Sequence, residues 1–292
     1  MKVLPFKIPK PENELVRHQI DDLPYFYDIL HQHPEVQLTV IIKGTGNLVV
    51  GDYIGRFRPG EVYLIGSDIP HVFRNDSSYY REDPKKRAYS ESIFYDLRIF
   101  SSCLSGIKEF HKSFEFFTGL NGCYKVLDEQ QFVRSRILKL RNTSGIARII
   151  SSLEVLHQIM CPQRLIKLNI VGNLKNYSPR ESKRMQKTLK FLMEHSHRPI
   201  SLAEVAEVAS MNKEAFCRFF KERTRKTMTQ FLNEIRITNA CHLLAEEEMT
   251  ISHIAAETGF PNLSYFNRIF KKTHNCTPKE FRASLLADTR QV

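Results

Sequence analysis

The second half of the chain carries the same pattern of residues twice, at an offset of 49 to 50 residues. The recurring residues are Ser201, Val205, Ala206, Phe216, Arg218, Phe220 and Lys221 in the first copy and Thr250, Ile254, Ala255, Phe266, Arg268, Phe270 and Lys271 in the second. Each copy opens with a hydroxyl residue that can cap a helix, passes through a turn, and starts a second helix at Asn212 or Asn262. The pattern predicts two helix-turn-helix units.

In the second helix of each predicted unit, apolar residues share one face and basic residues lie on the opposite face. The apolar set is Phe216, Phe219 and Phe220 in the first unit and Phe266, Ile269 and Phe270 in the second. Residues 228–244 predict a long amphipathic helix between the units. Two such second helices can enter successive major grooves when they lie ~34 Å apart. A protein-binding helical array is the alternative, although solenoids usually need three or more copies.

The region from roughly 185 to 284 resembles the DNA-binding domain of AraC/XylS-type transcriptional regulators. The matching positions of the second unit are Ile251, Ile254, Ala255, Gly259, Phe260, Asn262, Ser264, Tyr265, Phe266, Arg268, Phe270, Lys271, Lys272, Thr277, Pro278, Glu280, Phe281 and Arg282. The first unit matches more loosely, at Ala206, Arg218, Phe220, Lys221, Phe231, Leu232 and Arg236. So many matches in register are far beyond chance.

The resemblance implies that the second helix of each unit contacts base edges in a major groove. By position, the candidates are Glu214, Cys217 and Arg218 in the first unit and Leu263, Ser264, Asn267 and Arg268 in the second. Arginine can bind guanine, asparagine adenine, glutamate cytosine, and leucine the thymine methyl group. Phosphate contacts are expected from Lys213, Lys221, Lys271, Lys272 and Arg282. The alternative for each position is a solvated helix face, and Leu263 could equally belong to the core.

Two positions depart from the family pattern, which commonly has glycine where this chain has Arg225 and Asn275. Asparagine tolerates the left-handed backbone conformation that such a position needs, whereas arginine adopts it at some cost. We therefore expect the turn at Arg225 to have a different shape, or its charge to reach a phosphate.

Before residue 100 the chain consists of short runs rich in Val, Ile, Tyr and Phe, separated by Gly and Pro. The clearest runs are residues 38–42, 48–50, 53–57 and 61–65. Such runs predict an antiparallel β-sandwich or barrel. The expected fold class is therefore α+β, with a cupin-like β domain followed by an all-α domain in which a long helix joins two helix-turn-helix units.

A family member with an N-terminal β domain resembles a ligand-responsive regulator, in which a cupin-type sandwich senses a small molecule, often a sugar. His31 and His33 form a His-x-His pair that is followed by Gln37 and Gly44. Later residues resemble the second cupin motif, namely Gly60, Gly66, His71 and Asn75. The candidate effector-binding residues are His31, His33, Gln37, Tyr53, Arg56 and His71.

The same histidines suggest a second hypothesis, a metal-dependent cupin enzyme with an accessory helical domain. In metal-binding cupins, two histidines, a glutamate at the position of Gln37, and the later histidine bind one divalent cation. An amide is a poorer ligand than a carboxylate and does not offset the charge of the ion. The sequence therefore predicts no metal ion, and histidines that line a ligand pocket or are merely structural. It contains no nucleophile elbow, P-loop or His-Glu-x-x-His helix, so we also expect no cofactor and no catalytic residue.

The 292 residues carry a net charge of +11, which favours a polyanionic partner. No apolar stretch approaches the ~20 residues of a membrane span, and the six cysteines show no spacing typical of a disulfide framework. We expect a cytoplasmic protein whose partners are double-stranded DNA, a small-molecule effector and RNA polymerase.

Residues 145–160 place apolar side chains at helical spacing. This helix either packs on its own domain or pairs with a second copy, and we expect a homodimer. The polar stretch 172–182 contains Gly and Pro and predicts a linker. The predicted domains are therefore 1–171, for effector sensing and dimerisation, and 183–292, for DNA binding.

Overall fold

The computed structural model describes residues 14–76, 79, 86–169, 179–244 and 249–289. The chain forms two compact units that divide between residues 176 and 177. The first contains both strands and helices, and the described residues of the second form helices without a strand, so the predicted α+β class is confirmed. No helix in the described ranges is long and apolar enough to span a bilayer.

The N-terminal unit contains two antiparallel sheets. Its strands are β1 (Val16–Leu23), β2 (Val36–Lys43), β3 (Gly46–Val50), β4 (Tyr53–Phe57), β5 (Val62–Ile65), β6 (His71–Asn75), β7 (Ala88–Tyr95), β8 (Cys123–Val126) and β9 (Leu165–Lys167). The larger sheet has the order β1-β7-β2-β5-β8-β9, and the smaller one has the order β4-β3-β6. The four predicted runs fall in β2 to β5, as the alternation of apolar runs and turn residues indicates.

The two sheets share one buried apolar layer, so the unit is a β-sandwich. Leu48 and Phe73 of the smaller sheet belong to the same buried cluster as Tyr63 and Ile65 of the larger sheet. Because successive side chains of a strand point to opposite faces, the next residues of the larger sheet form a second apolar surface. That outer surface is covered by helices.

The covering helices are α1 (Leu97–Leu104), α2 (His111–Gly119), α3 (Phe132–Lys139) and α4 (Gly145–Ile159). Only α4 is predicted from the sequence, because helices of eight or nine residues carry little periodic signal. Val155 and Ile159 of α4 are buried against the sheet. Ile146 and Ile150, in contrast, are 76% and 54% exposed. The second half of α4 thus packs on its own unit, and the predicted homodimer stays a prediction.

The C-terminal unit contains seven helices in its described residues. They are α5 (Pro179–His195), α6 (Leu202–Val208), α7 (Lys213–Thr224), α8 (Met228–Leu243), α9 (Ile251–Glu257), α10 (Leu263–His274) and α11 (Pro278–Thr289). The pairs α6–α7 and α9–α10 are the two predicted helix-turn-helix units, and α8 is the predicted long helix between them. Fully buried Phe216 and Phe220 anchor α7, and Phe266 and Phe270 anchor α10.

All four predicted N-caps are present. The side chains of Ser201, Asn212, Thr250 and Asn262 each accept a hydrogen bond from the backbone amide three residues later. Such a bond satisfies one of the free amides of the first helical turn and stabilises the helix by about 1 kcal/mol. The caps therefore fix where each helix of both units begins.

Residues 179–182 of the predicted linker belong to α5, which begins at Pro179, a residue tolerated in a first helical turn. Residues 172–178 lie outside the described residues, so the linker stays a prediction. The expectation of a different turn at Arg225 is wrong. The turn at Arg225 has the same shape as the turn at Asn275, with φ of 55° and 57°. The arginine adopts the left-handed conformation because the position of the next helix, α8, is fixed by its N-cap at Thr227 and by buried side chains such as Phe231.

Candidate nucleic-acid interface and ligand cavity

The face of α10 opposite its phenylalanine anchors is exposed and polar. The predicted residues Leu263, Ser264, Asn267 and Arg268, and also Lys271 and Lys272, all lie on it. Leu263 is 39% exposed and does not belong to the core. This face therefore offers a partner the hydrogen-bond donors of its arginine and lysines, the amide of Asn267 and the apolar side chain of Leu263.

Tyr265 positions Arg268 on this face. The Arg268 guanidinium lies 5.0 Å from the centre of the Tyr265 ring. The Tyr265 hydroxyl accepts a hydrogen bond of 2.8 Å from the side-chain amide of Asn233 on α8. A cation over an aromatic face is attracted by the ring quadrupole, so the ring supports the guanidinium from one side. This contact could not be predicted from the sequence, which shows only that Tyr265 is present.

The corresponding face of α7 is formed by Lys213, Glu214, Cys217, Arg218 and Lys221, all of which are exposed. Among the described residues, no carboxylate pairs with Arg218 or with Arg268 of the other unit. A nearby arginine behaves differently, because Arg223 donates to the Phe219 carbonyl and pairs with Glu181 of α5. The two unpaired guanidiniums thus remain available to an anionic or base-edge partner.

Arg282 does not fit its expected role as a phosphate contact. Its Nε and Nη2 atoms donate to the carbonyl oxygens of Leu244 and Met249, at 3.2 and 2.7 Å. Arg236 has a similar role in the first half of the unit, where it donates to the carbonyl oxygens of Ser196 and Arg198. Both arginines donate hydrogen bonds to backbone carbonyls at or near the ends of other helices. This role could not be predicted from the sequence, because the acceptors are backbone atoms.

The N-terminal unit contains a cavity of about 250 Å³ between its sheets. Four of the six predicted effector residues line it, namely His31, His33, Gln37 and His71. Other lining residues come from the strand β1, such as Gln19 and Asp21, and from the aromatic residues Phe26, Phe73 and Phe94. The cavity therefore has a histidine-rich polar end and an aromatic wall.

A pair of backbone hydrogen bonds brings the histidines together. The amide of His31 donates to the carbonyl of His71 at 3.1 Å, and the amide of His71 donates to the carbonyl of His31 at 2.9 Å. Ring nitrogens of His31, His33 and His71 lie within 4.8 Å of one another. Of the described residues, these three form the group that is close enough to hold a metal ion.

Burial keeps the three imidazoles neutral. It lowers the pKa of His31 to about 4 and also lowers the pKa of His33 and, further, that of His71. The same effect raises the pKa of the Asp21 carboxyl, because a low-dielectric environment disfavours the charged form of either group. The cavity is thus lined by neutral hydrogen-bonding groups at its histidine end.

Tyr53 and Arg56 lie away from this cavity, so their assignment to it is wrong. Both belong to β4, the strand of the smaller sheet that is separated by β3 from β6, which carries His71. The Arg56 guanidinium makes a bidentate ion pair with Asp76. Tyr53 packs on the apolar layer of the sandwich, and burial raises its pKa to about 12. Strand order, which the sequence does not reveal, places them apart from the histidines.

Two tandem helix-turn-helix units with capped, outward-facing second helices define a DNA-binding protein. Residues 205–284 match the family model described as a helix-turn-helix domain. An uncharacterised HTH-type transcriptional regulator of Bacillus subtilis, YdeC, is 22% identical over 95% of this chain and 98% of its own length. The transcriptional activator RhaS of Mannheimia succiniciproducens is 23% identical over 86% of this chain and 88% of its own.

Similar solved structures include ToxT from Vibrio cholerae, which covers 93% of this chain and 98% of its own, with 14% identity and a TM-score of 0.37. The DNA-binding domain of AdpA in complex with a target DNA covers 36% of this chain and 95% of its own, with 24% identity and a TM-score of 0.34. The chain is therefore similar to AraC/XylS-type DNA-binding transcriptional regulators, and residues 205–284 form a helix-turn-helix domain.

Proposed function

We propose that the chain regulates transcription by binding specific DNA sequences, and that an effector held in the cavity of the N-terminal unit controls this binding. The observation that carries the proposal is the exposed polar face of α7 and of α10, the second helices of the two helix-turn-helix units. Each exposes an arginine without a carboxylate partner, Arg218 or Arg268, on the face opposite its buried phenylalanines. A helix held in this way can present its polar face to a major groove.

Each exposed residue has a role in this proposal. Arg218 and Arg268 bind guanine, Asn267 binds adenine, and Glu214 accepts a hydrogen bond from cytosine. Leu263 contacts a thymine methyl group, and Cys217 and Ser264 line the groove. Phosphates are contacted by Lys213, Lys221, Lys271 and Lys272, which position the protein without reading the sequence. The net charge of +11 supports the electrostatic share of this affinity.

The N-terminal unit supplies the control. A cavity of about 250 Å³ holds a small molecule, and its polar end offers hydrogen bonds from His31, His33, Gln37 and His71. We propose that the protein works as a cytoplasmic homodimer, since its DNA is there, and that Ile146 and Ile150 contribute to the dimer because they are exposed apolar residues. Contact with RNA polymerase completes the proposed set of partners.

The alternative of a metal-dependent enzyme is not supported, because the full-length relatives described above are named as transcriptional regulators or activators.

Mapping of the DNA fragments that the purified full chain binds tests the proposal. We expect footprints that contain two protected major-groove segments about one helical turn apart. The double substitution Arg218→Ala and Arg268→Ala should abolish them. Arg58→Ala, which removes an exposed charge from the other unit, should leave them intact. Equal affinity for all fragments, unchanged by the double substitution, would refute sequence-specific binding.

A further inference from the structure

The floor of the cavity is formed by three neighbouring strands of the larger sheet, β1, β7 and β2. Their register places Asp21 beside Ser90 and Ser90 beside Ile41, and all three residues line the cavity. Gln37, at the histidine end, lies four residues from Ile41 on β2, which corresponds to ~14 Å along the strand. Asp21 therefore belongs to a different part of the cavity from the histidines, and we call the part around Asp21 and Ser90 the acidic end.

The Asp21 carboxylate lacks a counter-charge within the described part of the chain. Its Oδ1 atom accepts a hydrogen bond of 2.9 Å from the side-chain amide of Gln19. No lysine or arginine of the described residues forms an ion pair with it, and Arg17 attracts it only from a distance. Burial outweighs these two contributions and raises the pKa of Asp21. A partly buried carboxylate without a cation is unfavourable, so a cationic ligand would stabilise it.

The other described groups that line the cavity carry no positive charge. None of them is a lysine or an arginine. The three imidazoles are neutral because burial lowers the pKa of each ring. Each ring donates from Nδ1 to a backbone carbonyl two residues away, over 2.8 to 3.0 Å, so its single proton is already used. An anionic ligand would therefore meet the Asp21 carboxylate with no lining cation to offset its charge.

Aromatic side chains form much of the remaining lining. Phe26 and Phe73 pack edge to face with their ring centres 6.4 Å apart, and Phe94 and Tyr27 line the same cavity. An aromatic ring attracts a nearby cation through its quadrupole and also covers an apolar group from water. One carboxylate surrounded by several rings therefore suits a ligand with a single positive charge and an apolar body.

We propose that the cavity binds a small organic monoammonium ion, whose charged head pairs with Asp21 and whose apolar body packs against Phe26, Phe73 and Phe94. The Ser90 hydroxyl, beside Asp21, offers a second oxygen acceptor to the N–H groups of the head. The volume of about 250 Å³ is below that of sites for drug-sized molecules, so the body is small. The role of this ion as the effector rests on the proposed function above, whereas the binding site itself does not.

Two competing arrangements predict other ligands. If Asp21 is protonated, it donates to the Gln19 oxygen after a rotation of that amide, and the acidic end has no charge. An ammonium ion would then bind no better than an alcohol. Arg17 has a buried Nη1 atom without a hydrogen-bond partner in the described structure. If this guanidinium reached the ligand, a carboxylate would bind best. Probes that differ only in the charge of the head group distinguish the three cases.

The test measures binding of 2-phenylethylamine, 2-phenylethanol and phenylacetate to the full chain by titration calorimetry at neutral pH. The probes share one ring and carry a cationic, a neutral and an anionic head. The amine should bind at least about tenfold more tightly than the alcohol, because its bond to Asp21 is charge-assisted, and phenylacetate should bind most weakly. Equal affinities of amine and alcohol, tightest binding of phenylacetate, or no binding of any probe would each overturn the proposal.

Asp21→Asn removes the charge and keeps the shape of the side chain. It should reduce the affinity for the amine to that for the alcohol, and unchanged binding of the alcohol shows that the variant is folded. Asp22→Asn is the matched control, because Asp22 is exposed and pairs with Arg87, and it should change neither affinity. An affinity for the amine that is the same in Asp21→Asn and wild type would overturn the site.

The affinity for a footprinted DNA fragment, measured with and without the amine, tests the regulatory role separately. Bound amine should change this affinity roughly fivefold or more if the cavity controls DNA binding. An amine that binds at Asp21 yet leaves DNA affinity unchanged supports the site and refutes its use as the effector site. A chain that binds the amine but no specific DNA refutes the proposed function and leaves the site intact.

Discussion

Arg225 and Asn275 hold equivalent positions at the ends of the two second helices. Arg225 has φ 55° and ψ 12°, Asn275 has φ 57° and ψ 12°, and each donates its amide to the carbonyl four residues earlier. The left-handed conformation costs a residue with a Cβ atom roughly 1 kcal/mol, and asparagine less than most. The same backbone turn is therefore more strained in the first unit.

Replacement of these residues by glycine should reveal this difference. Arg225→Gly should raise the free energy of unfolding by roughly 1 kcal/mol, because glycine adopts a positive φ without steric cost. Asn275→Gly is the matched control, and its effect should be smaller. Urea unfolding followed by circular dichroism measures both. A gain at Asn275 as large as that at Arg225 would contradict the proposed difference in strain.

Substitution of Arg268 should separate base contacts from phosphate contacts. Arg268→Ala should weaken the binding free energy by about 1–3 kcal/mol at a site identified by footprinting, and by much less on random DNA. Lys272→Ala should weaken binding to both DNAs equally and reduce the salt dependence by about one counterion. Fluorescence anisotropy at several salt concentrations provides both values. Equal losses on specific and random DNA for Arg268→Ala would make this side chain a phosphate contact.

Arg236 should contribute more to stability than any exposed arginine of the unit. The residue is 6% exposed and donates to two backbone carbonyls, at 2.8 and 2.7 Å. Arg236→Ala leaves both oxygens without this donor and should lower the free energy of unfolding by about 3 kcal/mol. Arg218→Ala, at an exposed position, should change it by less than about 0.5 kcal/mol. Denaturant midpoints of the two variants check the difference.

The capping box of α6 should make stability depend on pH. The Glu204 carboxylate accepts a hydrogen bond from the Ser201 amide and another from Arg198, and these hold its pKa at about 2. Because this pKa is depressed in the folded state, the contribution is complete above the unfolded value near 4.5 and is lost as the pH falls through about 2. Glu204→Gln should therefore remove part of the fall in unfolding midpoint between pH 5 and pH 2.

The control for this experiment is Glu214→Gln. The Glu214 side chain lies exposed on α7, and in the described part of the chain its carboxylate accepts no hydrogen bond. Glu214→Gln should change the pH profile of thermal unfolding less than Glu204→Gln does, because Glu214 lacks the two hydrogen bonds that Glu204 accepts. Identical profiles for Glu204→Gln and wild type would show that the box contributes nothing to this dependence.

The helical unit could be predicted from the sequence in unusual detail. Its caps at Ser201 and Asn262 and its anchors at Phe216 and Phe266 act over three or four residues, and such local patterns are visible in one sequence. The internal repeat adds to this, since the second copy supports the assignment of the first. The helices α1 to α3 could not be predicted, because helices of eight or nine residues are too short to show a clear apolar periodicity.

The cavity could be predicted only in part. His31, His33 and Gln37 lie close together in the chain, and the cupin-like pattern connected them with His71. Their protonation could not be predicted, because it depends on which backbone carbonyl each Nδ1 atom meets. Arg56 and Tyr53 were wrongly assigned to the cavity, since the sequence shows that β4 is a strand but not that β3 separates it from β6.

The sequence by itself determined the two repeated units, their starting residues and their exposed basic faces, because capping and helical periodicity act between near neighbours. Only the tertiary structure decided which polar groups meet across long separations, such as Gln37 with His71, 34 residues apart. It likewise turned Arg282 inward onto backbone carbonyls. Such contacts depend on strand register and helix packing, which satisfy buried polar groups with whatever partner the assembled fold brings within reach.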